Sequence, residues 1–244
     1  MARNFFGFFQ TPGWIYKRIR AIICYKKGIR KDGPIPRQRA GKEAKFFLAN
    51  LSYRKIEADE LTLSLFRSFI RRQKVTKCRR RIDGRWTVRD APFIDDWNQN
   101  DYRTLLDELQ QILKNGGQVF GAFCENELKG FAAVDGTPFG SRNQYCDLIH
   151  LYVSEELRRQ GIGKVLFHEA KRFASQKAEK LYISAHSAIE SQAFYRAMGC
   201  VEASEYDPKH IEKEPFDCQL ECPLTPAEDK DELDTAALSG KLPF

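Results

Sequence analysis

The segment most capable of chemistry is Arg158-Arg159-Gln160-Gly161-Ile162-Gly163-Lys164, which stands between an apolar run ending at Val153 and a set of apolar positions at helical spacing. Two glycines one residue apart let a backbone approach a ligand closely. The first turn of a helix offers amide groups with no partner of their own and the positive end of the helix dipole. Such a turn receives an anion, and a pyrophosphate fits it. Taken alone, Gly-x-Gly before a helix is equally a tight turn or a helix cap. The dinucleotide fingerprint Gly-x-Gly-x-x-Gly fails, because position 166 is Leu, and the Walker pattern Gly-x-x-x-x-Gly-Lys-Ser/Thr is absent.

To hold that loop, a strand must deliver it and a helix must leave it. Tyr145–Val153 reads as the strand, and Ile162, Val165, Leu166, Ala170, Phe173 and Ala174 form one helical stripe beyond it. Upstream, Leu51–Ile56 alternates like a strand, and Asp59-Glu60 opens a helical run through Leu61, Leu65, Phe66, Phe69 and Ile70. A basic, turn-bearing stretch covers Arg71–Arg85. Asn100-Asp101 starts a second helix carrying Tyr102, Leu105, Leu106, Leu109, Ile112 and Leu113, which Asn115-Gly116-Gly117 ends. Gln118–Cys124 and Leu128–Val134, joined by Glu125-Asn126-Glu127, read as a hairpin. Leu181–Ala185 is a further strand, Ser191–Met198 a helix, and Cys200–Tyr206 with Phe216–Cys222 a closing strand pair. The order β-α-α-β-β-β-α-β-α-β-β is that of an α/β domain without internal repeats.

The 244 residues, 42% hydrophobic and 30% charged, exclude a wholly disordered chain, a collagen and a coiled-coil rod. No apolar run is long enough for a transmembrane helix. The net charge of +7 is unevenly spread. Residues 1–44 hold eleven Lys and Arg against Asp32 and Glu43, mixed with Phe5, Phe6, Phe8, Phe9 and Trp14, so they read as a basic aromatic extension. That composition suits an anionic membrane surface or a plain disordered arm, and with no recognisable nucleic-acid motif beside it no nucleic-acid partner is expected. Residues 225–244 read as an acidic flexible tail, which leaves residues 45–224 as the domain. Seven cysteines, an odd number without a Cys-x-x-Cys pair, read as reduced thiols in the cytoplasm, and no metal site is expected.

Arg158-x-x-Gly161-x-Gly163 after a strand resembles the acetyl-coenzyme A (acetyl-CoA) loop of the GNAT N-acetyltransferases. Ser191-Gln-Ala-Phe-Tyr195-Arg-Ala-Met-Gly199-Cys200 is similar to that family's Ala-x-x-x-Tyr-x-x-x-Gly-Phe signature. The resemblance spans residues 51–224 and points to the bacterial-type small-molecule branch. It implies the GNAT acyltransferase fold, a central mixed, mostly antiparallel sheet flanked by helices, with the N-terminal stretch as an appendage. The chain departs from the pattern where Ala188 replaces an Asn seven positions before the tyrosine, at Ser191 for Ala and at Cys200 for Phe.

The resemblance also implies roles. Backbone amides of Arg159, Gln160, Gly161, Ile162, Gly163 and Lys164 would hold the pyrophosphate, with Arg158 opening the motif. Leu151, Tyr152 and Val153 would run along the pantetheine arm, on a strand splayed from the next, and Ser191 would touch the cofactor. Tyr195 stands where the family keeps its general acid, and a phenol is protonated at neutral pH. Asp147, eleven residues before Arg158, has the offset of the glutamate base in histone-type members, with a structural carboxylate as the other reading. Strand alternation turns His150 to the opposite face from Asp147. His186 and Glu190 rank behind Asp147, and an amide of Leu151 or Tyr152 would polarise the carbonyl.

The acceptor side of the family maps to about residues 60–105 and 200–220. The seven basic residues from Arg71 to Arg81 either receive an anionic acceptor or the cofactor's 3′-phosphate, or form a solvated face. Asp90, Asp95, Asp96 and Asp101 either meet a polycation or cap local structure, and Trp86 and Trp97 either wall a pocket or pack in the core. The expectation is an acetyl-CoA-dependent N-acetyltransferase acting on a small-molecule amine by direct attack in a ternary complex. Acetylation of a protein lysine or N-terminus, and a non-catalytic acetyl-CoA-binding module, stand as alternatives. A homodimer is left open.

Overall fold

The computed structural model describes residues 50–225. The extension expected over residues 1–44, Cys24 within it, and all but the first residue of the expected tail lie outside the described residues. No helix among the described residues is long and apolar enough to cross a membrane.

Seven strands make the main sheet: β1 (Leu51–Lys55), β4 (Gln118–Cys124), β5 (Glu127–Val134), β6 (Tyr145–Val153), β7 (Lys180–Ala185), β9 (Cys218–Pro223) and β8 (Val201–Glu202), in that spatial order. β4, β5 and β6 pair antiparallel, as do β7, β9 and β8, and the two halves meet where β6 and β7 run parallel. β5 is buried along almost its whole length because both its faces are covered.

Helix α1 (Gln99–Lys114) begins at a capping box in which Asn98 and Asp101 each accept from the other end's backbone amide. Its stripe Leu105, Leu106, Leu109 and Ile112 is buried with Phe66, Phe69 and Phe131, and each such aliphatic side chain stabilises by about 1.5–3 kcal/mol over an exposed one. Helix α2 (Ile162–Ala174) lies against β5 and buries Ile162, Leu166, Phe167, Ala170 and Ala174. Gly130 permits that approach: a Cβ there would stand 2.9 Å from Ile162 and 3.0 Å from Leu166. Helices α3 (Ile189–Ala197) and α4 (Pro208–Lys213) complete the described elements that flank the sheet.

Three expectations from the sequence are corrected. The run from Leu61 to Ile70 forms no α-helix; short 3-10 turns cover Ala58–Glu60 and Leu63–Phe66 instead. There Thr62 and Ser64 bond to each other through their hydroxyls at 2.7 Å, and Ser/Thr side-chain bonding of this kind competes with the helix. The basic stretch after Arg71 is a long hairpin, β2 (Arg72–Ile82) against β3 (Arg85–Asp96), turned at Asp83-Gly84 with positive φ at both residues.

The third correction concerns His150. Ala133 pairs with His150 but Val134 with Leu148, so Ile149 is an extra residue, a β-bulge that reverses the alternation of β6. Asp147 and His150 therefore share a face. His150 Nε2 stands 3.0 Å from Glu108 of α1, and Asp147 reaches His210 of α4.

Candidate active site

Where β6 meets β7, Tyr145, Cys146 and Asp147 pair with Lys180, Leu181 and Tyr182, and the pairing stops there. Beyond it β7 stays with β9, while residues 148–153 of β6 stay with β5, so the sheet splays open between them.

The end of β6 is anchored before the loop begins. Ser154 donates from its amide to Lys129 O (2.8 Å) and from its hydroxyl to Glu156 (2.5 Å), and the buried Lys129 ammonium lies 3.3 Å from Glu156. Arg158 turns back to donate from Nε to Val153 O at 3.0 Å. Arg159 and Gly161 both take positive φ, +63° and +85°, and Gly161 caps α2 from the left-handed region. No atom lies within 4 Å of where a Gly161 Cβ would be, so the loop presents its backbone to open space at the positive end of α2.

That space belongs to a cavity of about 590 Å³. Its walls bring together eleven of the residues singled out in the sequence: Leu151, Tyr152 and Val153 from β6; Arg158, Arg159, Gly161, Ile162, Gly163 and Lys164 from the loop and α2; Ser191 and Tyr195 from α3. Gln160 and Asp147 lie outside the lining. Arg71, just before β2, and Gln73 and Lys74 of β2, with Glu190, Phe194 and Met198 of α3, complete most of the enclosure.

Tyr195 is buried, and that burial pushes its phenol well above the usual range, so it holds its proton at neutral pH. α3 is fixed by the buried Gln192, whose Nε2 donates to the carbonyls of Ala185 (3.1 Å) and His186 (2.9 Å) at the end of β7. Ala188, at the departure from the family's Asn, is fully buried against Val75 and Cys78 of β2. The hairpin seats on the same turn, with Arg79 N donating to Ser187 O at 2.8 Å.

Asp147 is also buried, and loss of solvent drives its carboxyl upward. Its Oδ2 lies 2.7 Å from His210 Nε2, its Oδ1 is buried without a partner, and the bond to Asp147 raises the pKa of the His210 ring. His210 stacks on Tyr182 with centroids 5.6 Å apart. His186 is a different case: its Nδ1 accepts from Ala188 N at 3.1 Å, and burial lowers its pKa.

Two polar groups in this region were missed by sequence reading. His210 sits on a six-residue helix too short to show a stripe, although Asp207 before Pro208 is a helix-start signal. Asp217, pushed up to about 7 chiefly by burial, is a carboxyl that titrates near neutrality. Arg71 is 5% exposed, paired with Asp95 and laid over the rings of Tyr152 (4.7 Å) and Trp97 (5.3 Å).

Comparison with known proteins places this architecture. Residues 95–212 match the family model of the acetyltransferase (GNAT) domain. "Probable N-acetyltransferase 14" of Danio rerio is 34% identical over 96 residues, 38% of this chain and 33% of that protein, so the match spans about a third of the curated relative. In fold, nourseothricin acetyltransferase aligns over 72% of this chain and 99% of its own at a TM-score of 0.51 and 17% identity. An acetyltransferase assigned to streptothricin, from Bacillus anthracis strain Ames and solved with acetyl coenzyme A, aligns over 71% and 99% at 0.52 and 19%. The stretch that matches the acetyltransferase (GNAT) domain, residues 95–212, is the one that carries the splayed sheet and the glycine loop at its mouth.

Proposed function

We propose that the protein transfers an acetyl group from acetyl-CoA to a primary amine of a small molecule, by direct attack in a ternary complex. One observation carries this reading: the loop, the splayed edge of β6 and Tyr195 line a single cavity. The room left at Gly161 is a cradle that a Cβ would begin to fill, beside amides that have no helical partner of their own. Both solved relatives are named as acetyltransferases of small molecules, and one of them was solved with acetyl coenzyme A.

The amides from Arg159 to Lys164 would hold the phosphates, and the free edge of β6 at Leu151–Val153 the pantetheine arm. Acetyl-CoA supplies the acetyl group as a thioester. The attacking amine must lose a proton, the carbonyl oxygen must be polarised and the departing sulfur must gain a proton. Tyr195 Oη would supply the proton for the sulfur, and a backbone amide of Leu151 or Tyr152 would polarise the carbonyl oxygen. The amine's proton would pass through a water to the His210–Asp147 pair, which lies outside the cavity lining. Asp147 is then a positioning residue, which fixes the ring and stabilises its charged form.

The test is acetyl transfer to a panel of amines, read as thiol release and as the mass of the acetylated product. Saturable turnover on small amines is expected. Binding of acetyl-CoA without turnover on any amine, or turnover on peptides alone, contradicts the reading.

A further inference from the structure

Arg71 carries more binding capacity than the fold uses. It enters the cavity wall from the position just before β2, beside Gln73 and Lys74, and is among the most deeply buried charged side chains described. Asp95 takes Nη2, and the rings of Tyr152 and Trp97 cover the guanidinium. Nε and Nη1 are buried with no hydrogen-bond partner, and the guanidinium lies near enough to the Tyr152 phenol to oppose the rise in its pKa that burial causes. Leaving donors of a buried cation unsatisfied costs about as much as the hydrogen bonds they forgo, and native structures rarely do so without a function for them.

The chemistry that satisfies them is an oxyanion, because guanidinium donors match carboxylate and phosphate oxygens and the bonds are charge-assisted. Two sources offer one in this cavity, the acceptor and the cofactor. The cofactor's phosphates already have the amides from residue 159 to 164, with Arg159 and Lys164 beside them. Arg71 belongs to a different element and stacks on Tyr152, next to the β6 residues assigned to the pantetheine arm. Apolar and aromatic side chains, Leu151, Tyr152, Leu157 and Phe194, make up much of the remaining wall.

We infer that Arg71 is the specificity-determining residue for a carboxylate on the acceptor, so that the amine acetylated belongs to an amino acid or an amino-acid conjugate. This rests on the acetyl-transfer reading above and narrows its acceptor. A small swing of the guanidinium exposes Nε and Nη1 to the carboxylate, while Asp95 keeps the side chain in place.

The experiment compares amines that differ only in the carboxylate: phenylalanine with phenethylamine, and lysine with cadaverine. Wild-type protein should favour the carboxylated member of a pair by about tenfold or more in kcat/KM, the size of one charge-assisted bond. Arg71→Gln should bring that ratio to about one, and Arg71→Lys should restore part of it. KM for acetyl-CoA should be the same in all three proteins.

Equal use of both members by the wild type overturns the inference without recourse to a variant, so a misfolded Arg71→Gln does not protect it. A raised KM for acetyl-CoA in Arg71→Gln that is absent with acetyl-dephospho-CoA overturns it in favour of the 3′-phosphate. Calorimetry with acetyl-CoA, run alongside, separates the two levels. Acetyl-CoA that binds and reacts with no preference between acceptors sinks the carboxylate subsite alone. Acetyl-CoA that does not bind sinks the acetyl-transfer reading, and the inference with it.

Discussion

Asp147 Oδ2 lies 2.7 Å from Nε2 of His210, a bond between the strand that borders the cavity and a short helix 63 residues further on. The Ile149 bulge lies two residues further along the same strand. The bond makes the two groups titrate as a pair: the carboxylate raises the ring, and the ring stabilises the ionised form of a carboxyl that burial would neutralise.

The pH dependence of turnover follows from that pair. If His210 is the base it must be unprotonated, so kcat/KM rises with pH through the ring's raised pKa. Asp147→Asn removes the carboxylate that raises the ring, and the acid limb of the profile should move to lower pH, with kcat reduced by about 100-fold or more. His210→Gln should abolish the limb. A packing role for the pair would lower stability in both variants and leave the limb in place, so pH profiles beside thermal melts decide between them.

Tyr195→Phe keeps the ring that packs against Phe167 and Phe194 and removes only the hydroxyl. Turnover should fall by about 100-fold or more, with acetyl-CoA affinity within about twofold of wild type. Calorimetry and steady-state kinetics on the same preparation separate the two quantities.

Gly161 and Gly163 should respond differently to alanine. At Gly161 the φ of +85° costs a Cβ about 1–2 kcal/mol, and the new methyl enters the open space at the loop. Acetyl-CoA should bind at least about tenfold more weakly to Gly161→Ala, a loss of about 1.4 kcal/mol. At Gly163 the nearest neighbours of a Cβ are Phe194 at 3.5 Å and Val153 at 3.6 Å, ordinary contacts, and the position is helical. Gly163→Ala should melt no lower than wild type. Melting curves and calorimetry on both variants check the contrast.

Glu108 ties α1 to both β6 and α4, with His150 at 3.0 Å and Lys213 Nζ at 3.0 Å. His150, and then Lys213, hold its carboxyl down to about 2 from an ordinary 4.5. A lowered pKa in the folded state contributes stability above pH 4.5, and that contribution is lost as pH falls from 4.5 toward 2. Solvent screens a side chain about one-third exposed, so the effect is modest. Glu108→Gln should melt a few degrees lower at pH 7, about what 1 kcal/mol makes in a chain of this size, and the gap should narrow by pH 3.5.

The loop from Arg158 to Lys164 was legible in the sequence because two glycines and a helical stripe are local signals, and the Tyr195 motif gave the second wall. The bulge at Ile149 was not, since it depends on pairing with Ala133 and Val134 and carries no Gly or Pro to mark it. That is why alternation placed His150 on the wrong face. The β2–β3 hairpin was hidden for another reason. Val75 and Cys78 are the only buried residues of β2, so no period of two shows among Arg72–Ile82, and Arg71–Arg85 read as a basic, turn-bearing stretch. Arg71 could be read either as an anion receptor or as part of a solvated charge run, and only its stacking with Trp97 and Tyr152, across distant parts of the chain, separates the two.

The account depends most on the loop after Val153 holding phosphates. Isothermal titration of the protein with CoA and with pantetheine, which lacks the phosphates, tests this directly. Saturable binding of CoA at micromolar concentration, with pantetheine weaker by about 100-fold, is the predicted result. No heat with CoA, or equal affinity for the two, would contradict it.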